Sequence, residues 1–224
     1  MKKFAAEILG TFALVFAGTG AIVIDQISGG AISHVGVALT FGLIVLAMIY
    51  TVGDISVAHL NPAVTLGFWA ARRMSAREVL PYIFSQITGA ILASGLLRFL
   101  FPENKLLGAT LPAGSEMQSF VLEAVLTFFL MLTILNVSTG AKEKGITAGI
   151  AVGSVIALEA MFAGLISGAS MNPARSLAPA LVSGHFEHLW IYLVAPPLGS
   201  VAAMLACRCV REKGCCSKLK IETA

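Results

Sequence analysis

Two short stretches constrain this chain more than any other feature: Asn61-Pro62-Ala63 within AHLNPAVT and Asn172-Pro173-Ala174 within ASMNPARS. In each, Asn stands where a helix N-cap belongs, Pro takes the first helical position and a short apolar run follows, so both read as helix starts. The run after each start lasts about ten residues, roughly 15 Å of helix against a hydrocarbon core of about 30 Å. Two such half-helices, arriving from opposite sides and meeting N-terminus to N-terminus, would aim their positive dipole ends and two Asn amides at one point near the midplane. Such a point is a polar spot in a pore.

Composition agrees that the surroundings are lipid. With 57% hydrophobic residues, 12% charged residues and a mean hydropathy of +0.88, 224 residues cannot hide their apolar groups in one soluble core. The net charge of +3 is modest and points to no nucleic-acid partner. Apolar runs place spans at about Phe4 to Ile24, His34 to Val52, Pro81 to Phe101, Met117 to Val137, Gly145 to Ile166 and His188 to Cys207. The first run follows Lys2 and Lys3 like a signal peptide, but it is too long, carries Glu7 and lacks a small-residue exit, so it is expected to stay. The approach to the first NPA stretch holds Asp54 and His59, which suits a re-entrant segment lining a wet cavity, because irregular backbone facing lipid would lack partners.

The chain also repeats itself. AAEILGTFALVF set against VLEAVLTFFLML pairs Glu7 with Glu123, Thr11 with Thr127, Phe12 with Phe128 and Leu14 with Leu130. The expected organisation is one channel domain over 1–224: a first repeat at about 1–108, a second at about 109–208 and a basic, cysteine-bearing tail at about 209–224. Three spans per repeat make the two repeats inverted. With both termini inside, twelve of the fifteen cations fall in the cytoplasm: Lys2, Lys3, Arg72, Arg73, Arg77, Lys142, Lys144, Arg208, Arg211, Lys213, Lys218 and Lys220.

The ionisable residues inside the spans need partners. Glu7 and Glu123 would cost several kcal/mol as lone carboxylates. Accepting hydrogen bonds from the backbone of the two re-entrant loops satisfies both sides, and the alternative is proton carriage. Glu159 has no counterpart in the first repeat, and holding a loop or tuning the pore mouth both fit it. His59 reads as a fixed polar packing residue that supports its loop; no other His lies near it in the sequence, and no metal site or cofactor is expected. Arg175 directly follows the second NPA stretch, with nothing nearby in sequence to neutralise it. It reads as a donor to a passing solute and a barrier to cations, the alternative being an Arg snorkelling at a helix end.

Two NPA boxes 111 positions apart, the second continued by Arg175 and Ser176, with similar flanks over almost the whole chain, resemble the aquaporin and glycerol-facilitator (major intrinsic protein) family of membrane channels. The resemblance implies an all-α membrane fold of six transmembrane helices plus two re-entrant half-helices, a homotetramer with one pore per subunit, and residence in the cell membrane. It places a selectivity filter at Phe41, Ala160, Ala169 and Arg175. Strict water channels of the family carry His at the second position, where this chain has Ala160. The pattern is therefore similar to the plant nodulin-like members and their bacterial aquaglyceroporin-type relatives, although Phe41, Ser176 and Ala180 are water-channel-like. The implied function is passive passage of water and small uncharged solutes such as glycerol, extending to urea or metalloid hydroxides, with protons and ions excluded. A strict water channel and a proton-coupled transporter are the alternatives. No nucleophile, base and orienting group converge to suggest an enzyme.

Four cysteines, Cys207, Cys209, Cys215 and Cys216, crowd the C-terminal end, where reduced thiols are expected. A solvated basic tail near anionic headgroups, acylation, and capture of a soft metalloid all fit them.

Overall fold

The structure, a computed structural model, describes residues 1–138 and 147–210. Lys142, Lys144, Arg211, Lys213, Lys218, Lys220, Cys215 and Cys216 lie outside the described residues. Eight helices make up the described part: α1 (Lys2–Ile27), α2 (Ser33–Ser56), α3 (Pro62–Ala70), α4 (Ala76–Leu100), α5 (Glu116–Val137), α6 (Ala148–Ser167), α7 (Pro173–Ser183) and α8 (Leu189–Val210).

Six of them, 20 to 26 residues long, are apolar and long enough to cross a membrane. Their polarity is inside out. Phe84, Phe99, Phe162 and Leu165 are each more than 60% exposed, whereas Glu7, Gln86 and Glu123 are fully buried. A solvent that rewards exposed Phe and Leu is hydrocarbon, not water.

Five of the six spans extend beyond the lengths the apolar runs give; α6 is shorter than the expected Gly145 to Ile166, whose start at Gly145 lies outside the described residues. Lys2 and Lys3 begin α1, and α4 starts at Ala76 and runs through Pro81. Pro81 falls in the second turn, where its missing N–H frees only one carbonyl of the preceding turn. Of the cysteines expected as reduced thiols, Cys209 is free and exposed, whereas Cys207 is buried and disulfide-bonded.

Helices α1 to α4 and α5 to α8 repeat one arrangement. The pairings of α1 with α4 and α2 recur as α5 with α8 and α6. Two glycines set the closest approaches: a Cβ at Gly89 of α4 would lie 2.2 Å from the Ile8 carbonyl oxygen, and one at Gly199 of α8 would lie 2.0 Å from that of Ala124. The repeats interlock rather than sit side by side. Half-helix α3 packs on α8 and half-helix α7 on α4, so each repeat inserts its short helix against the other's last span. Across the middle, α2 meets α6 through Gly42 and Gly153, each of which would put a Cβ within 2.6 Å of the other's carbonyl oxygen. Small residues at such crossings let helices approach closely in a medium that offers no hydrophobic drive.

Candidate functional site: a pore at the meeting of two half-helices

Asn61 and Asn172 cap α3 and α7 from extended backbone, and Pro62 and Pro173 take the first helical positions. The Asn61 side-chain oxygen accepts from the Ala63 N–H at 2.8 Å; that of Asn172 accepts from Ala174 at 3.0 Å and Arg175 at 3.3 Å. Each amide nitrogen then crosses to the other repeat. Asn61 Nδ2 donates to the Met171 carbonyl at 2.7 Å, and Asn172 Nδ2 to the Leu60 carbonyl at 2.9 Å. The helices have 9 and 11 residues, together about 30 Å, so end to end they span a bilayer that neither crosses alone. An Asn amide has two N–H groups. One on each Asn joins the repeats, and both side chains line the same cavity.

The loops reaching these caps carry backbone that only an outside hold sustains. Ala58, Leu60, Ala169 and Met171 all have positive φ, between 41° and 53°, a region that costs a non-glycine residue roughly 1 to 3 kcal/mol. The hold comes from the two buried glutamates. Glu7 accepts from the His59 and Leu60 N–H groups at 2.9 and 2.7 Å, from Ser56 Oγ at 2.7 Å and from Gln86 Nε2 at 2.8 Å. Glu123 accepts from the Ser170 and Met171 N–H groups at 2.9 and 2.8 Å and from Ser167 Oγ at 2.7 Å. Each carboxylate thus collects the donors that an irregular loop leaves over. His59 stacks on Phe68 with centroids 4.5 Å apart and bonds through Nδ1 to Thr65 Oγ1 at 3.1 Å, tying its loop to the first turns of α3.

Sequence reasoning passed over several members of this framework. Tyr82 and Tyr192, 110 positions apart, donate their hydroxyls to the Ser56 and Ser167 carbonyls at 3.1 and 2.6 Å, closing the ends of α2 and α6 where the loops begin. Gln86 bridges Glu7 and Thr65. Extending the repeat comparison past the first span would have paired Ser56 with Ser167 and Tyr82 with Tyr192. Gln86 has no such signal.

One cavity of about 680 Å³ runs through the meeting point, lined by Asn61, Asn172, His59, Leu60, Met171 and Ser170, and continuing past Ile49, Tyr50, Asp54 and Ser138. Phe41, Ala160, Ala169 and Arg175, from α2, α6, the second loop and α7, line the same cavity. The Arg175 guanidinium carbon sits 5.0 Å from the centroid of the Phe41 ring, a cation–π distance. Its Nη1 donates to the Gly108 carbonyl at 2.7 Å, its Nε is buried without a partner, and the residue is 2% exposed. Among the described residues no carboxylate lies within ion-pair distance of it. Behind it, Ser176 Oγ accepts from Thr110 at 2.9 Å and lies 2.5 Å from Ser170 Oγ. Glu159 is buried with its Oε2 unpartnered, and it makes none of the loop contacts of Glu7 and Glu123. Among the described residues no cluster of three or more metal-ligating side chains occurs.

A passage through apolar helices, with amide donors at its centre and the fixed guanidinium of Arg175 to one side, suits neutral hydrogen-bonding molecules. The comparisons with known proteins agree. The chain is 49% identical to Aquaporin NIP1-1 of Oryza sativa subsp. japonica over 94% of its own length and 75% of the relative's. It is 44% identical to Nodulin-26 of Glycine max over 94% of this chain and 78% of that one. Its fold matches the X-ray structure of the aquaglyceroporin from Plasmodium falciparum with a TM-score of 0.80 at 27% identity, covering 92% of this chain and 93% of that one. The family model described as Major intrinsic protein matches residues 1–207, and the chain belongs to that family.

Proposed function

We propose that the solute filter of this passive channel for water and small uncharged solutes is the ring of Phe41, Ala160, Ala169 and Arg175, and that it admits molecules the size of glycerol. The observation that carries this reading is the Arg175 guanidinium seated over the Phe41 ring, in a cavity whose other two members here, Ala160 and Ala169, contribute only methyl groups. A polyol needs what that arrangement offers: hydrogen-bond donors on one side for its hydroxyls and apolar surface on the other for its carbon backbone. Arg175 supplies the donors and repels cations. The spare N–H groups of Asn61 and Asn172 and the N-terminal ends of α3 and α7 repel them again at the centre. A water held there accepts from both amides, which turns its own hydrogens outward and interrupts a proton relay.

The Ala160→His variant tests the filter. An imidazole at 160 adds a bulky polar group opposite Phe41 and beside Arg175, so glycerol is blocked while water passes. Swelling of liposomes carrying either protein shows the wild type passing both solutes and the variant passing water alone. A wild type that already excludes glycerol, or a variant that admits it undiminished, places the filter on the wrong residues.

The chain is a multi-pass membrane protein, and we place it in the cell membrane with both termini cytoplasmic. The basis is the cation distribution, including Lys3, paired with Glu78, and Arg208 near the end of α8. As in the oligomers the family resemblance implies, four copies are expected to assemble, each with its own pore. The exposed apolar faces of the six long helices supply surface for both lipid and neighbouring subunits.

A further inference from the structure

Phe41 stands where it does because the helix behind it has a notch. Gly18 lies in the interior of α1, where Gly costs a helix about 1 kcal/mol relative to Ala. Its Cβ position is already occupied. A Cβ built there would lie 2.1 Å from Phe41 Cε1 and 2.5 Å from both Cδ1 and Cζ, and these are the three nearest atoms it would meet. The ring of Phe41 is seated in the gap left by the absent side chain, with the Arg175 guanidinium 5.0 Å from its centroid. The other repeat makes the opposite choice. Gly18 corresponds to Ile134 at the offset of 116 that relates Glu7 to Glu123, and Phe41 to Val152 at the offset of 111 that relates the NPA stretches. There the first helix of the repeat carries the bulk and the second carries the smaller side chain.

We propose that Gly18 is a positioning residue for solute selection: by letting the Phe41 ring lie back against α1, it sets the width of the pore beside Arg175. The inference rests on the filter reading above. Carbon atoms in contact sit about 3.5 to 4.0 Å apart, so one added methyl group must displace the ring by about 1.5 Å. That is roughly half the diameter of a water molecule of about 1.4 Å radius. Arg175 is tied to Gly108 and to the start of α7, and α1 closes the rear, so the ring yields towards the pore.

The test compares wild type, Gly18→Ala, Phe41→Ala and the double variant by stopped-flow swelling of liposomes, with flux normalised to folded channel. Gly18→Ala is expected to lower the glycerol-to-water permeability ratio by about tenfold or more, since the narrowest section governs the wider solute first. Phe41→Ala raises the ratio, and in that background the added methyl group changes nothing, because no ring remains to be pushed. A ratio unchanged by Gly18→Ala while Phe41→Ala raises it overturns the proposal and leaves the filter standing. An equal fall in both backgrounds also overturns it. No response to Phe41→Ala means that the filter reading fails first. If Gly18→Ala alone does not assemble, recovery of a folded channel in the double variant bears out the collision; failure of that variant too shows that the methyl group meets something other than the ring, which sinks the proposal.

Discussion

Replacing Glu7 by Leu and by Gln separates a carboxylate that holds a loop from one that merely fills space. The wild-type side chain divides its work evenly: Oε1 accepts from Ser56 Oγ and the His59 N–H, Oε2 from the Leu60 N–H and Gln86 Nε2. Leu accepts nothing. Ser56 can turn its hydroxyl elsewhere and Gln86 keeps Thr65, but the two backbone N–H groups are buried and fixed, at about 1 to 3 kcal/mol each. The expected loss is therefore about 2 to 6 kcal/mol, a large share of the roughly 5 to 15 kcal/mol that holds a typical native protein together. Gln keeps one oxygen. With that oxygen facing Ser56 and His59, its NH2 group meets Gln86, whose own Oε1 is buried without a partner and can be brought round by an amide flip. The Leu60 N–H is then the one backbone donor stranded, at about 1 to 3 kcal/mol, and the turned Gln86 NH2 takes the buried place where its Oε1 had no partner. The damage reaches the pore, since the Leu60 carbonyl is the acceptor for Asn172. Unfolding in mixed micelles, followed through Trp69 and Trp190, should rank wild type above Gln above Leu. Water flux per folded channel should fall most in Leu. Equal stability and flux for wild type and Glu7→Leu would refute the loop-holding role.

Besides the narrowing expected of Ala160→His, three outcomes follow from the same geometry. Arg175→Val, which copies Val64 at the corresponding place in the first repeat, removes the barrier charge and should let liposomes carrying a pH-sensitive dye leak protons or alkali cations; tight vesicles would show that the half-helix ends suffice. A protease-sensitive tag after Ala224 should be cut only from the cytoplasmic side, and labelling from outside intact cells reverses the topology. Cross-linking in native membrane should stop at four copies, whereas a species that stays monomeric in several detergents and still conducts argues against the tetramer.

Much of this was legible in the sequence because lipid simplifies the code. Long apolar runs can only be spans, and Asn61-Pro62 and Asn172-Pro173 announce helix starts by capping chemistry that is local to the chain. Glu7 and Glu123 were legible as loop holders because a buried carboxylate needs donors and a re-entrant loop needs acceptors. The illegible part depends on distance rather than residue type. Gln86 meets Glu7 across 79 positions and Gly108 meets Arg175 across 67, with no periodicity to link them. Pro81 reads as a boundary in the sequence, yet α4 starts at Ala76 and carries it in the second turn, where one first-turn carbonyl gives up its helical partner.

The two-fold relation between the repeats also shows why the proposed filter stands at one end only. At the offset of 111 that superimposes the NPA stretches, Phe41, Ala160, Ala169 and Arg175 correspond to Val152, Ile49, Ala58 and Val64, and all eight line the same cavity. What the repeats share is scaffold: the capping Asn, the Glu beneath each loop, the Tyr closing each helix end and the Gly at each tight crossing. These keep the backbone open and polar at the centre, a requirement identical from both sides. At these four positions the second loop's end has a cation and an aromatic ring, whereas the first loop's end has four aliphatic side chains, its polar lining coming from other residues, Tyr50, Asp54 and His59. An aliphatic ring offers a solute no hydrogen bond to replace its hydration, so it can resist passage but cannot tell glycerol from a hydrocarbon of equal width. On the proposed filter, recognition of hydroxyl groups comes from the departure from symmetry, at Arg175 and the ring it rests on.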